Sequence, residues 1–424
     1  FRRYYPHGET VAHIVGFTNI DEKGQEGMEL AFDGWLSGHP GAKRVLRDRY
    51  GRSIRDVASI RPARDGHDLA LTIDQRLQYL AYRELKAAVQ AHDAAGGSAV
   101  LVDASTGDIL ALVNQPGYNP NNRAQIDLGL TRNRAATDTL EPGSVIKPFT
   151  VAAALEAGTV GLDVILDTNP GTMRVGRHTV RDFRNYGRID LATLIARSSN
   201  VGSTQLALDT PAEDFWRILH HAGFGQSTEV GLPGEVSGLL RDFPTWRRIE
   251  QATLGYGYGL SVTPLHLAAA YTVFANDGYR VPLRLVRTAG DRRERQFVMR
   301  PETARQILVM MEQVTGQEGT ARQAVISGYR VAGKTGTSRK AAAGGYSSDR
   351  YYSLFVGLAP VSNPRFVMAV VIDEPNAGEY YGGAVAAPVF SRVMESALRL
   401  FHVPPDKLLE PPMQIAVERA ERRS

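Results

Sequence analysis

The strand-like segments of this chain fall into two clusters set apart by a long helical stretch, and any fold must bring them back together. Residues 99–102 and 109–113 are apolar, β-rich runs joined by Asp103-Ala104-Ser105-Thr106-Gly107-Asp108, a hairpin signal. Strand-like runs return only at residues 329–332, 353–358 and 366–372, the last two split by Pro360-Val361-Ser362-Asn363-Pro364. Between the clusters, residues 144–278 read as mostly helical. An early hairpin and late strands can share one core only in a common antiparallel sheet. The expected class is therefore α+β, an antiparallel sheet flanked by helices with a helical insert.

Flanking patterns fill in the organisation. Residues 69–73 read as a short strand leading into an amphipathic helix over 75–91, capped by Thr72 or Asp74 and ended by Gly96-Gly97. A helical pattern over 388–400 closes the domain. At 424 residues the chain is long enough for two or three units. Residues 1–62, rich in Arg, Gly and Asp, read as the end of a small accessory module. Residues 63–403 read as the main domain, and the polar, Pro-containing residues 404–424 as a mobile tail.

Composition removes several classes of function. With 49 basic and 45 acidic side chains and no aromatic-interleaved basic stripe, nucleic acid is not an expected partner. The absence of cysteine excludes disulfides, thiolate catalysis and Cys-ligated zinc. The ten His are scattered and no His-Glu-Xaa-Xaa-His is present, so neither a metal nor a cofactor is expected. No apolar run approaches the roughly 20 residues that a membrane span needs. The chain opens on Phe1, in a stretch that reads as mid-domain, so a preceding segment is expected.

Three short motifs carry the chemistry. In Ser144-Val145-Ile146-Lys147, the following Pro148 places a helix start close to Ser144, and residues three apart share a face, bringing the Lys147 amine towards the Ser144 hydroxyl. A hydroxyl needs a neighbouring base, and a lysine serves only when neutral, a state favoured by burial and a second cation. Ser198-Ser199-Asn200 offers a hydroxyl relay, Ser198, and an amide, Asn200, to hold Lys147 and a substrate carbonyl. Lys334-Thr335-Gly336-Thr337 supplies the second cation, hydroxyls at Thr335 and Thr337 for a substrate carboxylate, and a Thr337 N–H that completes an oxyanion hole with that of Ser144. Its Gly336 suits close approach of an extended peptide to a sheet edge. Alone each motif is weak, since Ser-Xaa-Xaa-Lys recurs about once or twice by chance in a chain this long. Together, each once and in this order, they are specific.

That set resembles the signature of penicillin-binding proteins and class A β-lactamases. Arg3-Tyr4-Tyr5-Pro6, His13-Ile14-Val15-Gly16 and Gly24-Gln25-Glu26-Gly27-Met28-Glu29 look like the juxta-catalytic module of class B penicillin-binding proteins. The stretches 114–121, 256–264 and Tyr380-Tyr381-Gly382-Gly383 resemble the division-specific, FtsI-like branch. The resemblance implies the penicillin-binding-protein and serine β-lactamase-like fold, in which Ser144 is acylated by a D-alanyl-D-alanine stem peptide and passes it to a neighbouring amine. It further implies that Tyr256, Tyr258, Tyr352, Tyr380 and Tyr381 wall the cleft, and that β-lactam antibiotics acylate Ser144. Implied surroundings are an N-terminal membrane anchor, the periplasmic face of the bacterial inner membrane, and division partners including an FtsW-like SEDS-family glycosyltransferase. A β-lactam sensor domain and a β-lactamase use the same serine chemistry. The accessory module argues against the first, and the lack of the Glu-Xaa-Xaa-Leu-Asn element that activates hydrolytic water argues against the second.

Overall fold

The computed structural model describes residues 3–287, 294–342 and 345–407. In chain order, strands β1 (Ala42–Arg47) and β2 (Ser53–Arg61) form a separate antiparallel ribbon near the N-terminus. Helix α1 (Gln75–Ala91) precedes the hairpin β3 (Gly96–Asp103) and β4 (Ile109–Gln115). The middle of the chain holds α2 (Lys147–Glu156), a small hairpin β5 (Thr172–Val175) and β6 (His178–Arg181), then α3 (Leu191–Arg197), α4 (Asn200–Asp209) and α5 (Pro264–Ala275). Strands β7 (Ala332–Ala342), β8 (Gly345–Ala359) and β9 (Phe366–Asp373) and helix α6 (Ala387–Leu400) follow.

The main sheet runs β7-β8-β9-β3-β4, antiparallel throughout, so the early hairpin and the late strands do share one sheet. Strand β3 is buried along its whole length and β9 over all but its last residue, because helices cover both faces. Helices α1 and α6 pack on each other and on one face. Helix α5, whose Pro264 to Phe274 are all buried, lies against β3, β8 and β9 on the other. Phe149 of α2 meets Tyr271 and Phe274 of α5 at centroid distances of 5.7 and 5.1 Å, joining the insert to the sheet's helical layer. The N-terminal stretch is tied down by side-chain amides: Asn121 accepts from Tyr5 N–H (2.9 Å) and donates to Tyr5 O (2.8 Å).

Several local expectations change. Residues 69–73 form no strand; Leu71 makes a single bridge to Val286, and the Thr72 hydroxyl donates to the carbonyls of Ile109 (2.8 Å) and Arg284 (3.0 Å). With Thr72 so engaged, Asp74 is the cap of α1, accepting from the N–H groups of Arg76 and Leu77. The helix stops at Ala91, and Gly96-Gly97 instead open β3, where a Cβ on Gly96 would stand 2.7 Å from Gln115 O. Strand β7 starts at Ala332 and runs through the Lys334-Thr335-Gly336-Thr337 motif rather than ending before it. The tail expected from residue 404 lies mostly at 408–424, outside the described residues.

Two glycines, Gly257 and Gly336, let the turn that carries Ser144 sit where it does. Gly143, at the start of the turn bearing Ser144, donates its N–H to Gly257 O (3.0 Å). Gly257 has φ +87°, and a Cβ there would fall 1.9 Å from Gly143 O. On the other side, a Cβ on Gly336 would lie 3.0 Å from Pro142 O and 3.1 Å from Val145 Cγ1. Gly257→Ala is therefore expected to destabilise the protein by at least about 1–2 kcal/mol from backbone strain alone. On the acylation that the resemblance implies for Ser144, it should also slow that step. Urea denaturation and fluorescent-penicillin labelling check both, and wild-type values would show that the turn has room to yield.

Candidate active site

Ser144 lies in a single 3-10 turn, Gly143–Ile146, that runs directly into α2, with Pro148 tolerated at its first turn. Lys147 is fully buried, and its amine donates to Ser198 O (2.5 Å) and Asn200 Oδ1 (2.8 Å) and lies within hydrogen-bond distance of Ser198 Oγ (3.0 Å). Burial drives the Lys147 amine well below the ordinary lysine range; Lys334 pushes the same way and Asp182 opposes. A neutral amine has two N–H bonds, and Ser198 O and Asn200 Oδ1, which only accept, can take both. Its lone pair is then left to receive a hydroxyl proton. Among the described residues no hydrogen bond joins Lys147 directly to Ser144: the amine turns to the α3–α4 junction, through Ser198.

That junction is held by a residue that no motif pointed to. Ser198 ends α3 in the left-handed region (φ +63°), and Ser199 caps α4 by accepting from Gly202 N–H (3.0 Å). Asp182, just past β6, accepts from Ser199 Oγ (2.7 Å) and from the N–H groups of Asn200 and Val201 (2.9 Å to the latter). A carboxylate suits the N-terminal end of a ten-residue helix. Arg181 O accepts from the Asn200 amide (2.9 Å), which aims Asn200 Oδ1 at Lys147. The β5–β6 hairpin was not read from sequence, and with it Asp182 was missed. The one available signal was a lone Asp after the β-rich run 178–181.

The third motif lies on β7, an edge strand of the main sheet. Lys334 is fully buried, burial pushes its amine down to about 7, and it donates to Thr335 O (3.1 Å). Thr335 Oγ1 lies 2.8 Å from Thr320 Oγ1, and Thr337 Oγ1 accepts from Gly382 N–H (3.2 Å). Gly336 faces the Ser144 turn as described above.

A cavity of about 410 Å³ gathers Ser144, Ser198, Asn200, Thr335, Thr337 and Tyr381, with Phe183, Tyr186, Arg197, Thr320, Gly382 and Gly383 completing the wall. Lys147 and Lys334 are buried behind it. Of the five tyrosines expected there, Tyr381 alone is on that wall, stacked on Tyr380 and edge-on to the exposed ring of Phe183. Tyr380 sits behind it, between Tyr351 and Tyr381. Tyr256 packs on Val175, Val180 and Ala252, and Tyr258 meets Tyr346 edge-on at 5.4 Å. Tyr346 in turn donates to Glu141, which also accepts from Gly259 N–H (2.8 Å), so these rings brace the Ser144 turn from outside the cavity. Tyr352 lies under the Lys340 amine (4.8 Å) on the sheet.

Comparison with known proteins agrees with this geometry. Residues 97–395 match the family model described as the penicillin binding protein transpeptidase domain, and residues 1–71 that of the penicillin-binding protein dimerisation domain. The chain is 44% identical over 411 residues to the peptidoglycan D,D-transpeptidase FtsI of Escherichia coli K12, covering 96% of this chain and 68% of that protein. It is 43% identical over 410 residues to the probable peptidoglycan D,D-transpeptidase PenA of Neisseria gonorrhoeae, covering 96% and 70%. The apo structure of the TP domain of Burkholderia pseudomallei penicillin-binding protein 3 superposes with a TM-score of 0.73 at 40% identity, over 80% of this chain and 98% of that one. A buried Lys147 bonded to Ser198 and Asn200 beside an edge strand, with matches of this extent, places the chain in the penicillin-binding protein transpeptidase family.

Proposed function

We propose that this protein is a peptidoglycan D,D-transpeptidase of the cell-division type, acting through a Ser144 acyl-enzyme and inhibited covalently by β-lactams. The observation that carries this reading is the fully buried Lys147 amine, bonded to Ser198 and Asn200 at a cavity whose wall includes Ser144. The donor stem peptide lies along the free edge of β7 and its terminal carboxylate meets the Thr335 and Thr337 hydroxyls, near Lys334. Neutral Lys147 takes the Ser144 proton, directly or through Ser198. Oγ attacks the penultimate D-alanine carbonyl, the Ser144 and Thr337 N–H groups hold the oxyanion, and Ser198 relays the proton to the departing D-alanine amine. A stem-peptide amine then takes the acyl group. The setting consistent with this substrate is the periplasmic face of the inner membrane, beside an FtsW-like glycosyltransferase and other division proteins. Among the described residues no helix is long and apolar enough to cross a membrane.

Hydrolysis is disfavoured by the cavity itself. Deacylation by water needs a base to deprotonate it, and among the described residues none that lines the cavity is a carboxylate. Wild-type protein mixed with penicillin should therefore consume about one equivalent in a burst and gain the mass of one adduct, whereas Ser144→Ala should gain none. Rapid multiple turnover would make the protein a β-lactamase, and an adduct on the Ser144 variant would move the nucleophile elsewhere.

Lys147→Ala is expected to slow acylation by about 10²- to 10⁴-fold, the usual contribution of a general base. In wild type the rate should rise with pH as Lys147 loses its proton, then fall as pH passes about 7, where Lys334 loses its own. Lys334→Ala should remove the alkaline limb. It should also move the acid limb to higher pH, since the Lys334 cation lowers the Lys147 pKa.

Asp182 acts in the opposite sense, because its carboxylate favours protonated Lys147. Asp182→Asn is expected to lower the acylation rate while moving the acid limb to lower pH. A pH profile unchanged in position, with only the rate reduced, would assign Asp182 a purely structural role.

A further inference from the structure

A second cavity adjoins the catalytic one and is larger, about 740 Å³ against about 410 Å³. The two share Tyr186 and Arg197. The Tyr186 hydroxyl donates to Arg197 O (3.1 Å), and the Arg197 guanidinium pairs with Glu318, so the junction is a fixed piece of wall. A second segment also runs between the cavities: Gln317 and Glu318 line the larger one, and Thr320, bonded to Thr335, lines the smaller. The larger wall carries both signs of charge, Arg188 and Arg197 with Asp190 and Glu318. Its volume falls within the range of about 300–1,000 Å³ typical of ligand sites.

Transfer to an amine is acylation run in reverse. The entering nitrogen takes the position that the leaving D-alanine nitrogen vacated, so the acceptor must reach Ser144 from the side where the leaving group departs. In the function proposed above, on which this step rests, that side is marked by Thr335 and Thr337, and Thr335 is hydrogen-bonded to Thr320. An acceptor chain passing Thr320 continues to Gln317, Glu318 and the second cavity.

We propose that the second cavity is the acceptor subsite, receiving an amine-bearing peptide stem whose carboxylate faces Arg188 and Arg197. The amine nitrogen forms its bond to the acyl carbon as the bond from that carbon to Ser144 Oγ breaks. One amine proton passes through Ser198 and Lys147 to Ser144 Oγ, so the products are an amide and the free serine. No other reactant is consumed.

The test partitions the acyl-enzyme formed from a small acyl-D-alanyl thioester between water and one of two acceptors, Nα-acetyl-D-lysine or its amide. Each offers a single nucleophilic amine, and only the first carries a distant carboxylate. Wild type should favour the acid by about fivefold, the upper scale of an exposed ion pair. Arg188→Glu should abolish or invert that preference. Penicillin adduct formation on the same preparations reports the serine chemistry separately. Wild type that forms an adduct but shows no preference, or an Arg188→Glu variant that keeps it, would overturn the acceptor assignment alone; wild type that forms no adduct would overturn the transpeptidase reading instead. Should Arg188→Glu fail to fold, Gln317→Glu, on the exposed loop, is expected to weaken the same preference, and an unchanged preference there would equally overturn the proposal.

Discussion

Everything at this site depends on keeping one ammonium group out of water. Lys147 has no exposed surface, and an isolated charged amine so placed would cost several kcal/mol, so it is held neutral or nearly so. Its partners are the reason the cluster is built from three distant parts of the chain. The turn into α2 supplies Lys147, the α3–α4 junction supplies two oxygens of Ser198 and one of Asn200, and β7 supplies the second buried lysine. Loosening any of the three lets water reach the amine and restores its ordinary basicity, at which it can no longer accept a proton near neutral pH.

The second constraint is the approach of β7 to the Ser144 turn. That strand ends the sheet order, so its outer edge is available to an extended peptide. An edge is useful only if the nucleophile stands close beside it, and Gly336 permits this, since a side chain there would press on Pro142 and Val145. On the far side of the turn, Gly257 meets Gly143, and Glu141 receives Tyr346 and Gly259. Ser144 is thus clamped between two backbones, and Tyr258 and Tyr346 stiffen that clamp from outside the cavity. Of the five tyrosines expected to wall the cleft, Tyr381 is left facing the cavity.

The class of fold and the three motifs were legible because each rests on local signals. Apolar runs broken by turn residues marked the sheet, and Pro148 fixed the helix start beside Ser144. What was misread depended on tertiary partners. Residues 69–73 have a strand's composition, yet the Thr72 hydroxyl is committed to two carbonyls from distant segments. The Gly96-Gly97 pair has a helix-stop composition, yet it opens a strand because Gln115 O leaves no room for a side chain at Gly96. Asp182 was invisible for the same reason: nothing in its neighbourhood announces that it will reach across to Ser199 and the start of α4.

The distribution of carboxylates joins these points to the chemistry. Asp182 is oriented by three donors at the head of α4, behind Ser199 and the backbone of Asn200 and Val201, and Glu141 faces Gly259 and Tyr346. Neither lines the cavity that contains Ser144. Acids therefore tune and brace the site without offering a base to a water molecule beside the ester. In the adjoining cavity Glu318 is paired with Arg197, and Asp190 accepts from Thr193 N–H. In the function proposed, this placement of acids leaves the ester for a nucleophile that brings its own lone pair, which is the chemical requirement for forming a cross-link rather than merely cutting a peptide.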